Sequence, residues 1–580
     1  AQFRTSIPNA RWDLIGQKIF MSKSKETPLD DSYFYTTRKD LDSLVFNATE
    51  AVYDIKSQEL KVSGIPYIVV ADAMITPENN EVLILADAKI GTLQNTVIIL
   101  DTINHYHTLV DGVINIESRK KFTGYATYRY VNSQSDTFLI KMEEFTLQPV
   151  LASASTNRRG VQAKFQTVAK GNISDKDNVL LSPGIFYKGD MIMYATQPSL
   201  ELKGYVKLDL KKINNYNTWI SHKSTADQEE VIIDFDKATT EGGKRAEAGL
   251  HFAMDNSLYS TFITEKIYVE DEDFFRPSGS LFYDPEKAEY VIEDLDKASG
   301  EKLSGKVFAY NENTSDFRFE GEVSFFKPLK GFGIVASAMG SGNLESSNIS
   351  MNSLLAVDMA VPSMAMDMIA TQLVKVISDE GLPEGLGDRT DLLYKVADII
   401  GERAAKDYEQ RSLSQYVSLG NVSAATSKAL VFADVNFKWS AERKAFYSEG
   451  ELGLSNINRN DVNGALEGFM EIRKTEDGSP VFHVFLKASP EAWYYFGFED
   501  NRLIIHSSSN EVNTVIAKRT NAGKAKVGEL VFIPGSDDEV LAFINKFRRQ
   551  YYKIDSPYSL RAEVKQATET RKKDDEDDGF

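Results

Sequence analysis

Ala51-Val52-Tyr53-Asp54-Ile55-Lys56-Ser57-Gln58-Glu59-Leu60-Lys61-Val62-Ser63-Gly64 is the stretch on which the fold turns. Apolar and polar residues alternate on either side of a polar turn, so it reads as strand, turn, strand, closed by a glycine where the chain bends or another backbone comes close. The pattern continues outward. Val70-Ala71-Asp72-Ala73-Met74-Ile75 returns fifteen residues later as Leu85-Ala86-Asp87-Ala88-Lys89-Ile90. Strands are predicted over 33–37, 68–75, 82–90, 97–100, 109–116, 122–131 and 138–147. Their separators are short, whereas parallel strands need a crossover of about a dozen residues, so antiparallel pairing is predicted. A polar connection over 151–171 leads to a second β-region from about 185 to 335.

An apolar or aromatic residue followed eleven positions on by glycine recurs as Tyr53 and Gly64, Val113 and Gly124, Tyr310 and Gly321, and Trp439 and Gly450; Tyr194 and Gly204 are one closer. Alternation before the glycine, as in Leu60 and Val62 or Phe317 and Phe319, reads as a repeated hairpin.

Between 351 and 410 the apolar period lengthens to about 3.6. Ser363 is placed to cap a helix over 364–377, with Ala365, Met368, Ile369, Leu373 and Val376 on one face. The glycine-rich segment 381–387 stops it, and a second helix is predicted over 390–411 through Leu393, Val396, Ile399, Ile400 and Arg403. β-pattern resumes over 429–519, and Ser536-Asp537-Asp538-Glu539 is a capping box that opens a helix to about 551. The expected fold is mainly β: short antiparallel strands in an elongated jelly-roll or solenoid-like, or multi-sheet, assembly, with an inserted helical hairpin and a C-terminal helix. Five segments are expected: a β-rung domain over 1–150, a second β-domain over 151–350, the helical hairpin over 351–412, a C-terminal β-region with its helix over 413–555, and a charged tail over 556–580.

At 580 residues the chain exceeds one ordinary core, and 42% hydrophobic residues suffice to fill several. With 66 basic against 85 acidic residues the formal charge is −19, which disfavours a nucleic-acid partner. The absence of cysteine removes disulfides, thiolate metal sites and cysteine nucleophiles. No run of eighteen apolar residues reads as a membrane-spanning helix. The opening Ala1-Gln2-Phe3-Arg4-Thr5 has no signal-peptide pattern, so a processed chain or a fragment is expected.

Candidate chemistry is sparse. His105 and His107, two apart on a predicted strand, could share a face as two metal ligands, but no third ligand accompanies them, and a polar strand face accounts for them equally. Glu270-Asp271-Glu272-Asp273 reads as a solvated acidic loop, since it lacks the spacing of a calcium loop. Asp234 and Asp236 share a strand face without a partner strand to make a glycosidase pair. Gly331-Phe332-Gly333 and Gly340-Ser341-Gly342 read as turns or bends. No nucleophile elbow or metalloprotease motif is present, so no catalytic residue, metal or cofactor is assigned and a non-enzymatic role is expected. Trp493 and Tyr495 are candidates for stacking on a glycan. Met364 and Met368, with Asp574 and Asp575 of the tail, are candidates for docking a partner protein.

The Ala-x-Tyr-Asp turn at 51–54 followed by Leu60-x-Val62-x-Gly64 resembles the strand-turn-strand rung of OstA-like lipopolysaccharide-transport proteins, most clearly over 45–130. The resemblance implies a β-scaffold that binds or bridges lipid across the periplasm, in a groove lined by Tyr53, Leu60, Val62, Ile68 and Val70. It implies a periplasmic or outer-membrane-associated location, with lipid or other envelope proteins as partners. The helical hairpin, the terminal helix and the acidic tail depart from the rung pattern. The texture of the whole is also similar to the C-terminal part of large envelope proteins of Bacteroidota-type bacteria. Two alternatives stand beside lipid bridging: a structural or interaction subunit of a large surface or secretion assembly, and a glycan-binding module.

Overall fold

The computed structural model describes residues 2–561 apart from 133, 151–164, 214, 226–230, 347, 522–525 and 528–529. The fold is mainly β and built of several sheets, with a helical region and a C-terminal helix. The chain forms two compact units, one of residues 1–246 with 281–286 and one of residues 247–280 with 287–580. The expected 1–150 and 151–350 segments therefore fall differently: the first lies inside one unit, and the second is shared between both.

In the first unit the opening stretch is a hairpin of Glu50–Asp54 and Glu59–Ser63, with Ala51 opposite Val62 and Tyr53 opposite Leu60. Asp54 Oδ1 accepts from the backbone N–H of Lys56 at 2.9 Å and of Ser57 at 3.2 Å, which ties the turn between them. The hairpin belongs to a five-stranded sheet; an eleven-stranded sheet begins at Ile68–Val70. The predicted strand over 68–75 is two strands, Ile68–Val70 and Ala73–Thr76, folded back at Ala71 with its positive φ of 56°. The predicted strand over 82–90 likewise ends at Ile84. Ala71-Asp72 and Ala86-Asp87 both sit in turns, so the echo between these segments is one of turn chemistry. Later strands are longer than expected, at twelve residues in His107–Ser118 and thirteen in Thr137–Pro149. Gly189 and Gly204 face each other across one ladder, and a Cβ on Gly204 would lie 2.8 Å from the Gly189 Cα. The strands approach too closely there for any other residue.

The second unit carries an antiparallel series running from Glu289–Glu293 through Asp316–Val323, Phe332–Asn343, Ile349–Met359 and Leu430–Ser440 to Arg502–Ser507, curved as a half-barrel. A three-stranded sheet of Glu247–Phe252, Leu258–Thr264 and Glu272–Phe275 packs its phenylalanines into this curve. Ring centroids lie 5.9 Å apart for Phe262 and Phe308, 5.1 Å for Phe275 and Phe319, and 4.9 Å for Phe274 and Phe446. Phe332 stacks on Phe498 at 3.9 Å. Gly340 and Gly342 are strand residues, not turns, and Phe319 and Phe317 lie over them.

Several helical expectations are corrected. Met351 and Met359 belong to the strand Ile349–Met359, and the first helix spans Ser363–Glu380 after Pro362, so Ser363 is its first residue and makes no cap. Its buried face is Ala365, Met366, Ile369, Ala370 and Leu373, and Gly381 ends it. The second predicted helix is two, Arg389–Ile400 and Glu402–Ser412, because Gly401 at φ 85° breaks the run. The first of the two buries Leu392, Lys395, Val396 and Ala397, a face rotated from the one predicted, and the second buries Ala405 and Tyr408. Asn510–Asn521, read as β-pattern, is a helix that makes the crossover into the parallel pairing of Arg502–Ser507 with Leu530–Pro534. The Ser536–Glu539 capping box forms, and the helix Asp537–Tyr551 buries Val540, Phe543, Ile544 and Phe547. Among the described residues no helix is long and apolar enough to cross a membrane, a statement that concerns helices alone.

Candidate functional site

Alternation places every second side chain of adjacent strands on one sheet face, and register decides which of them meet. In the second unit Arg318 lies opposite Ser341, Ser341 opposite Ser350, and Ser350 opposite Lys438. The next row on the same face is Glu320, Met339, Asn352 and Asn436. Short serines between long side chains leave a trough of about 520 Å³. That is within the roughly 300–1,000 Å³ of small-ligand sites.

The walls are charge-matched. Arg318 donates to Glu289 at 3.2 Å, Lys438 pairs with Glu449 at 2.8 Å, and Glu320 pairs with Lys297. At the floor Asn352 is held from both ends: its Nδ2 donates to Asp434 and, at 2.9 Å, to the Asn436 Oδ1, while its Oδ1 accepts from the Lys395 ammonium. Lys395 comes from the helix Arg389–Ile400 and is buried, and that burial lowers its pKa against the opposing pull of Asp434. The same helix presents Asp398, which accepts from the Ser337 hydroxyl at 2.7 Å and the Gly305 N–H at 2.9 Å; burial raises its pKa. At the start of the next helix, Glu402 accepts from the N–H groups of Leu303 and Ser304 at 3.0 and 2.9 Å. Burial pushes its carboxyl upward, but those N–H groups and Lys406 outweigh it and bring the pKa to about 2.

A second polar cluster joins the three strands of the small sheet. His251 Nδ1 donates to Asp273 at 2.7 Å, and Thr261 Oγ1 lies 2.7 Å from His251 Nε2. This line has the order of a nucleophile, base and orienting acid. Thr261 is only 5% exposed, however, and Asp273 is also paired with Lys266 at 2.6 Å. His251, Thr261, Asp273 and Lys266 satisfy one another across the three strands, which locks the sheet. Within 270–273, read as a solvated loop, Glu270 and Asp273 are exposed, but Asp271 is buried and accepts from the Tyr259 hydroxyl at 2.6 Å, and Glu272 is half-buried and pairs with Lys474 at 2.6 Å. His251 inside the apolar run 248–253 was the available signal.

The sequence candidates are placed as follows. Val62, Ile68 and Val70 have 0% exposure, while Tyr53 and Leu60 are half-buried. Trp493 and Tyr495 are buried with Phe469 and Phe485 under the C-terminal helix, so their ring faces are covered by Phe543, Phe547 and their neighbours instead of being open to a sugar. Met364 is 64% exposed and Met368 half-buried. Asp574 and Asp575 lie outside the described residues. His105 sits in an exposed turn, whereas His107 is buried at the start of a strand with Nε2 2.7 Å from the Gln197 carbonyl, so the two do not share a face. Asp234 is engaged by Lys237 at 2.7 Å.

Fold and site together define a class: a mainly β, two-unit protein whose second unit has aromatic-filled curvature and an open polar trough. Compared with known proteins, the chain matches no family model, no curated protein and no solved structure.

Proposed function

We propose that the chain is a non-enzymatic β-scaffold of the cell envelope, periplasmic or outer-membrane-associated, that serves as a structural or interaction subunit of a larger surface or secretion assembly. The observation that carries this reading over lipid bridging is the filled interior. Val62, Ile68 and Val70 have no exposed surface, so an acyl chain at those residues would have to displace protein. The likeness of 45–130 to OstA-like rungs supports the envelope setting. Met364, exposed on a helix whose opposite face is buried, is a contact for a partner protein.

The test is mass spectrometry of the purified chain, natively for partners and after organic extraction for lipid. The expected result is a stoichiometric protein partner, released by Met364→Glu, and no bound lipid. Stoichiometric lipid lost on Val62→Asp would overturn the scaffold reading in favour of the conduit.

A further inference from the structure

The trough across Asp316–Val323, Phe332–Asn343, Ile349–Met359 and Leu430–Ser440 has a lining whose chemistry selects an occupant. An anion would require unmatched positive charge, yet Arg318 and Lys438 are each paired with a glutamate, and Glu320 is paired with Lys297. An apolar ligand would strip water from the exposed hydroxyls of Ser341 and Ser350 and the exposed Asn436 amide without replacing their hydrogen bonds. Hydroxyls and amides each donate and accept, as does every charge pair taken as a unit, and this is the pattern that matches a neutral polyol. Half-buried Met339 in the second row offers an apolar contact for the C–H face of a sugar ring. The Asn352 amide is already oriented by Asp434, Asn436 and Lys395, so the floor is ordered before any ligand arrives. Arg318 and Lys438 are three strand spacings apart, about 14 Å, which suits two linked sugar rings lying across the strands.

We propose that this trough binds a neutral glycan of one to three sugar units across the Arg318–Ser341–Ser350–Lys438 row. The site is independent of the scaffold reading and of any partner at Met364. The test is calorimetric titration of the full chain with maltotriose, cellobiose and N,N′-diacetylchitobiose, with inorganic phosphate as the anionic probe. Ser341→Val and Ser350→Val fill the floor with residues that suit an exposed strand, and unchanged thermal unfolding shows that the fold is retained. At least one neutral sugar is expected to saturate the wild-type chain in the millimolar range or below and to bind each valine variant at least tenfold more weakly. Asn436→Asp, which removes the amide donor without changing shape, should weaken the same sugar. Three outcomes would overturn the proposal: no saturation by any of the three sugars, sugar binding that both valine variants retain, or binding of phosphate in preference to sugar.

Discussion

Lys395 is a buried lysine held by polar contacts from two strands of the second unit. A lysine taken out of water is costly unless its ammonium is matched, and here Asn352, the Ala433 carbonyl at 3.5 Å and the nearby Asp434 do so. Lys395→Met would leave the Asn352 oxygen and the Asp434 carboxylate without their cation. Chemical denaturation of the variant should show a loss of about 3 kcal/mol, well above that of an exposed surface substitution. A loss under about 0.5 kcal/mol would mean that the ammonium does not hold the floor of the trough. The sequence places Lys395 on a helix, but the face predicted as buried, through Leu393, Val396, Ile399 and Ile400, leaves Lys395 out although it is buried too. A lysine among apolar neighbours is ordinarily taken as solvated, and its counter-charge on a strand 39 positions away is invisible to local periodicity.

At the scale of elements, the helices 389–400 and 402–412 dock through carboxylates as well as through apolar packing. Glu402 takes the N–H groups of Leu303 and Ser304, and its pKa falls from 4.5 to about 2. The folded state therefore binds fewer protons than the unfolded one between those values, so this contribution is complete above about pH 4.5 and is lost as pH falls toward 2. Glu402→Gln should cost about 1–3 kcal/mol at pH 7, and the gap between variant and wild type in urea midpoint should close on acidification. A gap that is the same at pH 7 and pH 3 would show that the charge is not what docks the helix. The helices themselves were legible from their 3.6 period, and the capping box at Ser536 from four residues. The break at Gly401 was not, because a glycine inside a periodic run is tolerated in many helices and only its φ of 85° makes it a boundary.

Across the whole molecule, the two units should differ in their response to mild acid. In the first unit His222 is buried, its Nε2 has no hydrogen-bond partner among the described residues, and burial lowers its pKa from 6.5 to about 4. As pH falls through 6.5 the unfolded chain takes up a proton that the folded chain refuses, so the first unit loses stability progressively down to about pH 4. Glu402 has not begun to contribute its loss in most of that window. Hydrogen exchange at pH 7 and pH 5, corrected for intrinsic rate, should show protection falling around Ile220–Ser224 and its ladder partner Glu201–Leu208, and His222→Leu should reduce that difference, the remainder belonging to His107 of the same unit, whose pKa burial also lowers. By itself the sequence determined the mainly β class, the antiparallel hairpins and the helical insertion, because period and turn chemistry are local properties of consecutive residues. Only the tertiary structure decided that Val62, Ile68 and Val70 are packed shut, that Trp493 and Tyr495 lie under a helix, and that Arg318, Ser341, Ser350 and Lys438 form one row. Those facts depend on strand register and on which faces are covered, and both are set by contacts between residues far apart in the chain.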